Sequence, residues 1–184
     1  MSVEVWLVRH GETEWSRDHR HTSATDLELT ADGRAVGRAL AARLERSFDL
    51  VLTSPRRRAR DTAALAGHPD AEVDPDLVEW DYGDYEGITT AEIRETVPGW
   101  TVWTHPTPGG ETAEQVTERL DRVVARLRGR TSALVFGHGH ALRALAARWV
   151  GLPVSEGRLL KLDTATVSVL GVEREQPVVL RWNG

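Results

Sequence analysis

Two histidines carry the strongest chemical signal in this chain of 184 residues. His10 stands between Arg9 and Gly11, and His138 stands between Gly137 and Gly139. Each follows a short apolar run, Val3 to Val8 for the first and Thr131 to Phe136 for the second. A third run, Leu50 to Thr53, leads into Ser54-Pro55-Arg56-Arg57-Arg58. A neutral imidazole is a good nucleophile, and a neighbouring guanidinium disfavours its protonation. The same guanidinium groups can hold the equatorial oxygens of a transferring phosphoryl group. A glycine beside the histidine lets the backbone turn sharply and approach a ligand closely. Together these residue types suit phosphoryl transfer through a phosphohistidine. Such chemistry also needs a proton donor for the leaving oxygen, a carboxylic acid or a further histidine at the same place.

The groups lie far apart in sequence, so the fold must bring them together. The three apolar runs read as buried strands. Thr30 is the N-cap of a helix through Arg46, in which Val36, Leu40 and Leu44 repeat every four residues. Arg57 to Ala66 reads as a helix stopped by Gly67 and Pro69, Thr89 to Thr96 as a short helix, and Gly139 to Trp149 as another. Glu111 to Arg128 is the clearest helix, with Val116, Leu120, Val123, Val124 and Leu127 in one stripe. Ala71 to Val73 reads as a further short strand, and Leu77 to Gly87 and Trp100 to Gly110 as loops. In the tail, Arg158 to Leu162, Thr166 to Val172 and Val178 to Trp182 are strand-like. The alternation argues for a three-layer α/β/α sandwich in one domain over residues 1–184, mostly parallel in its sheet, with an antiparallel edge from the tail. Ligands of such sheets sit at the carboxyl ends of the strands. That rule gathers both histidines and the arginine run on one rim.

Composition bounds the remaining possibilities. Charged residues make up 28% and apolar ones 40%, as in a folded globular chain. The absence of cysteine excludes a disulfide scaffold, a thiolate metal site and a thiol nucleophile. A net charge of −5 argues against a nucleic-acid partner. No stretch approaches the about 18 apolar residues of a membrane span. Met1 runs into the first apolar run without a leader pattern, so a cytoplasmic protein is expected. Lys161 is the one lysine among 23 basic residues. A bias so uniform reads as a GC-rich genome, and individual arginines count only where a motif fixes them.

Five segments then carry a resemblance. Leu7-Val8-Arg9-His10-Gly11-Glu12-Thr13 resembles the RHG signature of the histidine phosphatase superfamily, which includes the cofactor-dependent phosphoglycerate mutases. Ser54-Pro55-Arg56-Arg57-Arg58-Ala59-Arg60-Asp61-Thr62-Ala63 resembles its SPxxRAxxTA segment, and the run Leu77 to Gly87 its LxExxxGxxEG segment. Pro108-Gly109-Gly110-Glu111-Thr112 resembles its GGES/T helix start, and Phe136-Gly137-His138-Gly139 its late HG element. The segments fall in family order and span most of the chain. The resemblance implies a phosphoglycerate mutase-like fold and a catalytic set of His10, Arg9, Arg58, Glu79 and His138. His10 would be phosphorylated, the arginines and His138 would hold the phosphoryl group, and Glu79 would pass the protons. Gly11, Ser16, His21, Thr22, Ser23, Tyr82, Gly139 and His140 would contact substrate or phosphate, the last two through amides at a helix start. Many members have Asn where this chain has Ser16, whose shorter hydroxyl can still donate one hydrogen bond. The runs around Glu12 to Ser16 and Glu79 to Gly87 look most like mycobacterial broad-specificity acid phosphatases and fungal sedoheptulose bisphosphatases.

Alternatives stand beside this reading. Glu86 and Asp81 rival Glu79 as the acid, and His138 with His140 forms an H-x-H pair that lacks an acidic ligand beside it. No metal and no cofactor are expected. A mutase would grip a second anionic group with extra basic residues after the Glu79 segment. Ile88 to Gly110 carries only Arg94 and His105 there, with Trp100, Trp103 and three prolines. That favours a phosphatase with a hydrophobic pocket wall, acting on small phosphate esters, sugar phosphates included. A mutase-type phosphotransferase and a non-catalytic phospholigand-binding module on the same fold are the competing readings. A homodimer paired through Trp103 or the last strands is compatible with the sequence.

Overall fold

The structure, a computed structural model, describes residues 3–184. Its sheet is built from β1 (Glu4–Arg9), β2 (Leu50–Thr53), β3 (Glu72–Val73), β4 (Ser132–Gly137), β5 (Val167–Glu173) and β6 (Gln176–Arg181). The order across the sheet is β3-β2-β4-β1-β5-β6. The first four strands are parallel, and β5 runs antiparallel to both β1 and β6. The helices are α1 (Glu14–Arg17), α2 (Ala31–Ala39), α3 (Arg57–Leu65), α4 (Thr90–Thr96), α5 (Ala113–Arg128) and α6 (Gly139–Trp149).

Side chains alternate across the sheet with the two-residue period of a strand. Val5 and Leu7 of β1, with Ala133 and Val135 of β4, pack against Leu120 and Val123 of α5 and Leu142 and Leu145 of α6. Val8, Leu134 and Phe136 face the other way, onto Leu40, Leu44 and Ala63. One layer of helices therefore covers each face, and the expected sandwich is the observed one. Thr30 caps α2 by accepting from the Gly33 amide, but the helix ends at Ala39 and a 3-10 turn, Leu40–Arg43, completes it. Val36 is exposed, while Leu40 and Leu44 are buried.

Two further elements differ from the sequence reading. The strand expected over Arg158 to Leu162 does not form; a 3-10 turn, Val154–Leu159, precedes an irregular crossing. The reason lies in its carbonyls. Arg143 takes those of Gly157 and Arg158, Trp182 that of Lys161, and Arg9 that of Leu162. Side chains satisfy the groups that a neighbouring strand would otherwise need to reach. The second difference is α1, a single turn whose capping box joins Thr13 and Ser16.

Register delivers the rim. Arg9 pairs with Gly137, and Thr53 and Val8 both pair with Phe136, so β1, β2 and β4 end level. The next amides continue the ladder, from His10 to the Gly137 carbonyl and from Ser54 to the Phe136 carbonyl, each at 3.0 Å. Helix α2 backs onto the loop that follows. A Cβ on Gly33 would stand 2.2 Å from the Glu12 carbonyl oxygen, whereas one on Gly37 would meet only the Leu65 side chain, Cδ1 at 3.3 Å and Cβ at 3.5 Å. Gly33→Ala should therefore lower stability by about 1–3 kcal/mol, because backbone must move. Gly37→Ala should leave it unchanged or raise it by up to about 1 kcal/mol through helix propensity. Urea unfolding of both variants checks this; equal losses would refute the backbone contact as the cause.

Candidate active site

His10 leaves the end of β1 buried, with its Nδ1 2.7 Å from the Gly11 carbonyl oxygen. A carbonyl only accepts, so Nδ1 carries the proton and Nε2 keeps a lone pair. Burial, then the charges of Arg58 and Arg9, hold the His10 pKa well below the ordinary histidine value. The ring is thus a neutral imidazole with one nucleophilic nitrogen. Its amide environment is set by Thr62 of α3, whose Oγ1 accepts from the Gly11 amide at 2.9 Å and donates to the Arg58 carbonyl at 2.7 Å.

The His138 ring lies edge-on to His10, centroids 5.2 Å apart. Arg58 donates from Nε to His138 Nδ1 at 3.2 Å, so His138 carries its proton on Nε2, 2.7 Å from Ser54 Oγ. Burial and then Arg58 keep this ring neutral too, its pKa well below the ordinary value. Arg58 is fully buried. Its Nη1 donates to the Thr25 carbonyl and its Nη2 to those of Thr22 and Ser23. Arg9 donates from Nη1 to the Leu162 carbonyl at 2.6 Å, while its buried Nε has no partner among the described residues. A Cβ at Gly139 would lie 3.3 Å from the Arg9 guanidinium, so that glycine lets the cation rest against the start of α6.

Glu79 occupies the same helix start. Its Oε1 accepts from the Trp80 and Ala141 amides, its Oε2 from the His140 amide. With one bond accepted, Oε2 has capacity left for a proton. The segment holding it is pinned on both sides. Arg119 of α5 donates to the Asp76 and Val78 carbonyls, and Glu111, paired with Arg119, accepts from the Asp81 amide.

A cavity of about 250 Å3 opens beside these groups. Arg9, His10, Ser16, His21, Thr22, Glu79, Tyr82, Gly139 and His140 all line it. Arg58 and His138 sit behind the wall rather than in it, and Ser23 does not reach it.

Residues 5–184 match the family model of the histidine phosphatase superfamily, branch 1. The chain belongs to this superfamily. It is 47% identical over 173 residues to an acid phosphatase of Mycobacterium tuberculosis, covering 91% of this chain and 85% of that protein. It is 38% identical over 185 residues to sedoheptulose 1,7-bisphosphatase of Saccharomyces cerevisiae, covering 82% and 68%. Among solved structures, the product of Mycobacterium tuberculosis open reading frame Rv3214 matches with a TM-score of 0.93 at 43% identity, over 98% of this chain and 97% of that one. Mycobacterial glucosyl-3-phosphoglycerate phosphatase Rv2419c, solved with VO3, matches with a TM-score of 0.87 at 29% identity, over 99% of each chain. The chain is an enzyme of this superfamily with phosphatase activity. Among the described residues no helix is long and apolar enough to cross a membrane.

Several expected contacts are used internally in this histidine phosphatase. The Ser16 hydroxyl accepts from the Thr13 amide and donates to the Thr13 carbonyl, so its single proton is committed. The His140 amide, expected to meet a bound anion, meets the Glu79 carboxylate instead. Ser23 gives its amide and hydroxyl to Glu86 and only its carbonyl to Arg58. Arg56 is half-buried, and its Nε has no partner among the described residues. The expected hydrophobic wall is not formed by the tryptophans. Trp100 packs on His21 and Tyr85, Trp103 on Trp80 and His140, and neither lines the cavity. Of the three rival carboxylates, Glu79 alone lines it.

His21 donates from Nδ1 to the Ile88 carbonyl, and the Tyr82 hydroxyl meets His140 Nδ1 at 2.6 Å. Burial holds His21 and His140 below the ordinary value and Tyr82 above its own. Sequence reasoning missed Ser54, Thr62, Arg20, Arg143 and Leu162 as parts of the site. Arg143 lies one turn after His140, so helix periodicity could have found it; Leu162 acts through its carbonyl and leaves no side-chain signal.

Glu86 accepts from the Ser23 and Thr25 amides and holds the loop whose carbonyls hold Arg58. Burial pushes its carboxyl up, but the hydrogen bonds from Ser23 and Thr25 outweigh that and leave its pKa below the ordinary value. A carboxyl lowered on folding stabilises above its unfolded pKa and loses that contribution as pH falls through its folded one. Glu86→Gln should therefore cost about 1–3 kcal/mol at pH near 7, and the deficit should shrink below the unperturbed glutamate value of about 4.3. Urea unfolding at both pH values checks this; a deficit independent of pH would refute it.

Proposed function

We propose that the chain is a metal-independent phosphomonoesterase that works through a phosphohistidine on His10. The observation that carries the reading is the Nδ1 contact of His10 with the Gly11 carbonyl, which leaves Nε2 unprotonated on a buried ring that feels the charges of Arg58 and Arg9. In the first step the Nε2 lone pair attacks phosphorus and the bond to the ester oxygen breaks. The leaving oxygen takes the proton of the Glu79 carboxyl, carried on Oε2. In the second step water attacks phosphorus, Glu79 takes a proton from it, and the P–Nε2 bond breaks. Phosphate leaves with His10 neutral and Glu79 protonated again. Arg9 and Arg58 supply the positive charge that the phosphoryl oxygens need in both steps.

His138 supports this arrangement through Arg58, since its Nδ1 fixes the guanidinium and Ser54 fixes its own tautomer. The segment from Ile88 to Gly110 gives only Thr90, and no basic residue, to the cavity wall, which favours a phosphatase with water as acceptor over a mutase. The substrates are small phosphate esters. A cavity of about 250 Å3 falls below the ~300–1,000 Å3 of sites for drug-sized ligands. The acid phosphatase and sedoheptulose bisphosphatase among its relatives support that class.

Hydrolysis of p-nitrophenyl phosphate in EDTA tests the reading. Turnover should persist with the chelator, and His10→Ala should reduce it roughly a thousandfold or more. Acid quench during turnover should destroy the phosphoprotein, while alkaline quench should preserve it, as expected of a phosphoramidate. No turnover of any phosphomonoester between pH 5 and 8 would instead support a phospholigand-binding module. With 3-phosphoglycerate, isomerisation exceeding phosphate release would support the mutase. Glu79→Gln should slow poor alkyl leaving groups at least about tenfold more than p-nitrophenol, which needs little protonation. Equal losses on both would remove Glu79 as the acid.

A further inference from the structure

The ion pairs of this protein are mostly exposed. Among the described residues, every pair but one has a partner whose side chain is at least 37% exposed. The exception joins Arg119 of α5, 7% exposed, to Glu111, 21% exposed. Exposed pairs contribute little to stability, and the attraction within a buried pair does little more than offset its desolvation. Stability therefore does not explain why this pair is buried. Its hydrogen bonds show what it holds.

Arg119 donates from Nε and Nη2 to the two Glu111 carboxylate oxygens, at 2.7 and 2.9 Å. Its Nη1 donates to the Asp76 and Val78 carbonyls, at 2.9 and 3.0 Å. Glu111 accepts from the Asp81 amide through Oε2 at 2.9 Å and from the Trp80 indole through its carbonyl at 3.0 Å. Its own amide donates to the Asp81 carbonyl at 3.0 Å. A Cβ on Gly110 would stand 2.2 Å from that carbonyl oxygen, so the two main chains meet with no side chain between them. The residue before Glu79 and the two after it are all bound to this one pair. The Glu79 carboxyl is bound elsewhere, to the amides that open α6. Glu79 thus spans two bodies, its main chain fixed by α5 and its carboxyl by α6, and the Arg148–Asp121 pair ties those helices together at 2.7 Å. Neither Glu111 nor Arg119 lines the cavity.

We propose that Glu111 and Arg119 are positioning residues for proton transfer. By fixing the main chain on both sides of Glu79, they set the reach of its Oε2 to the leaving oxygen. A proton donor must stand within about 2.6–3.2 Å of its acceptor, and a misplacement of about 1 Å can slow a reaction roughly a hundredfold. The guanidinium suits the task because its planar fork meets a carboxylate and two carbonyls at once, which a point charge cannot. The proposal rests on the phosphatase reading for Glu79 as the acid, and adds two residues that act through it.

The test compares phenyl phosphate with p-nitrophenyl phosphate, esters of the same ring whose leaving oxygens differ in their need for a proton. Glu111→Gln combined with Arg119→Met removes the pair without stranding a buried carboxylate. It should lower kcat/KM for phenyl phosphate about tenfold or more and for p-nitrophenyl phosphate by no more than about threefold. Added to Glu79→Gln, the same two substitutions should lower phenyl phosphate turnover by no more than about threefold further, because residues that act through one group are not additive. A parallel fall on both esters marks a merely structural role and overturns the proposal. So does the absence of any loss, or a loss on phenyl phosphate that persists in full beside Glu79→Gln. If the paired variant does not fold, Arg119→Lys decides. It keeps the charge and loses the fork, and should give a selective loss of about threefold or more on phenyl phosphate; an unselective loss, or none, overturns the proposal. Glu79→Gln alone separates the two readings. Equal losses on both esters remove Glu79 as the acid, and the proposal falls with it. A selective loss there, without one in the pair variants, leaves the acid in place and overturns the proposal alone.

Discussion

The site depends on a buried guanidinium that has no carboxylate partner among the described residues. Arg58 is fully enclosed, and its charge is spread over three main-chain carbonyls and the ring of His138. Burying a charge is costly unless hydrogen bonds replace its hydration. Here they do, and each acceptor thereby becomes part of one assembly. The carbonyls belong to the loop over residues 22–25, the guanidinium to α3 and the imidazole to the end of β4. None of these can move alone without stranding the cation. With no carboxylate paired to it among the described residues, its charge adds to burial in holding the His10 ring neutral.

A helix start and a strand end then share the opposite polarity. The amides that open α6 point at Glu79 rather than at solvent. The protein therefore supplies its own carboxyl group to a position that would otherwise attract an anion. Carboxylate and guanidinium groups line one small cavity without pairing to each other. Carboxyl and guanidinium groups left unpaired with each other stay available to a ligand, since an internal ion pair would occupy both.

The frame of the fold was legible in the sequence because its signals are periodic. The apolar runs of β1, β2 and β4 and the stripe of α5 follow from spacing alone, and the rule about strand ends led from them to His10 and His138. Glu79 depended on family resemblance, since nothing in its spacing separates it from Glu86 or Asp81. What escaped was decided by hydrogen bonds between distant segments or within a single turn. Ser16 looked available until its hydroxyl met Thr13, and Ser23 until it met Glu86. Tryptophans in a proline-rich loop suggested an apolar wall, yet Trp100 is buried in the core and Trp103 lies half-buried against Trp80 and His140, and polar groups of α6 line the cavity. Hydropathy misleads in the same way over Leu159 to Leu162, where carbonyl demand outweighs side-chain pattern.

That crossing between α6 and β5 has a wider consequence. The carbonyl of Leu162 holds Arg9, and those of Gly157 and Arg158 hold Arg143. Two cations of the cavity wall are thus tethered to the main chain of a single connection, whose side chains can vary while the tethers persist. Insertions or deletions in it would shift the two cations relative to each other. Relatives could in this way change the span of ligand they accommodate by altering loop length, with every cavity side chain kept.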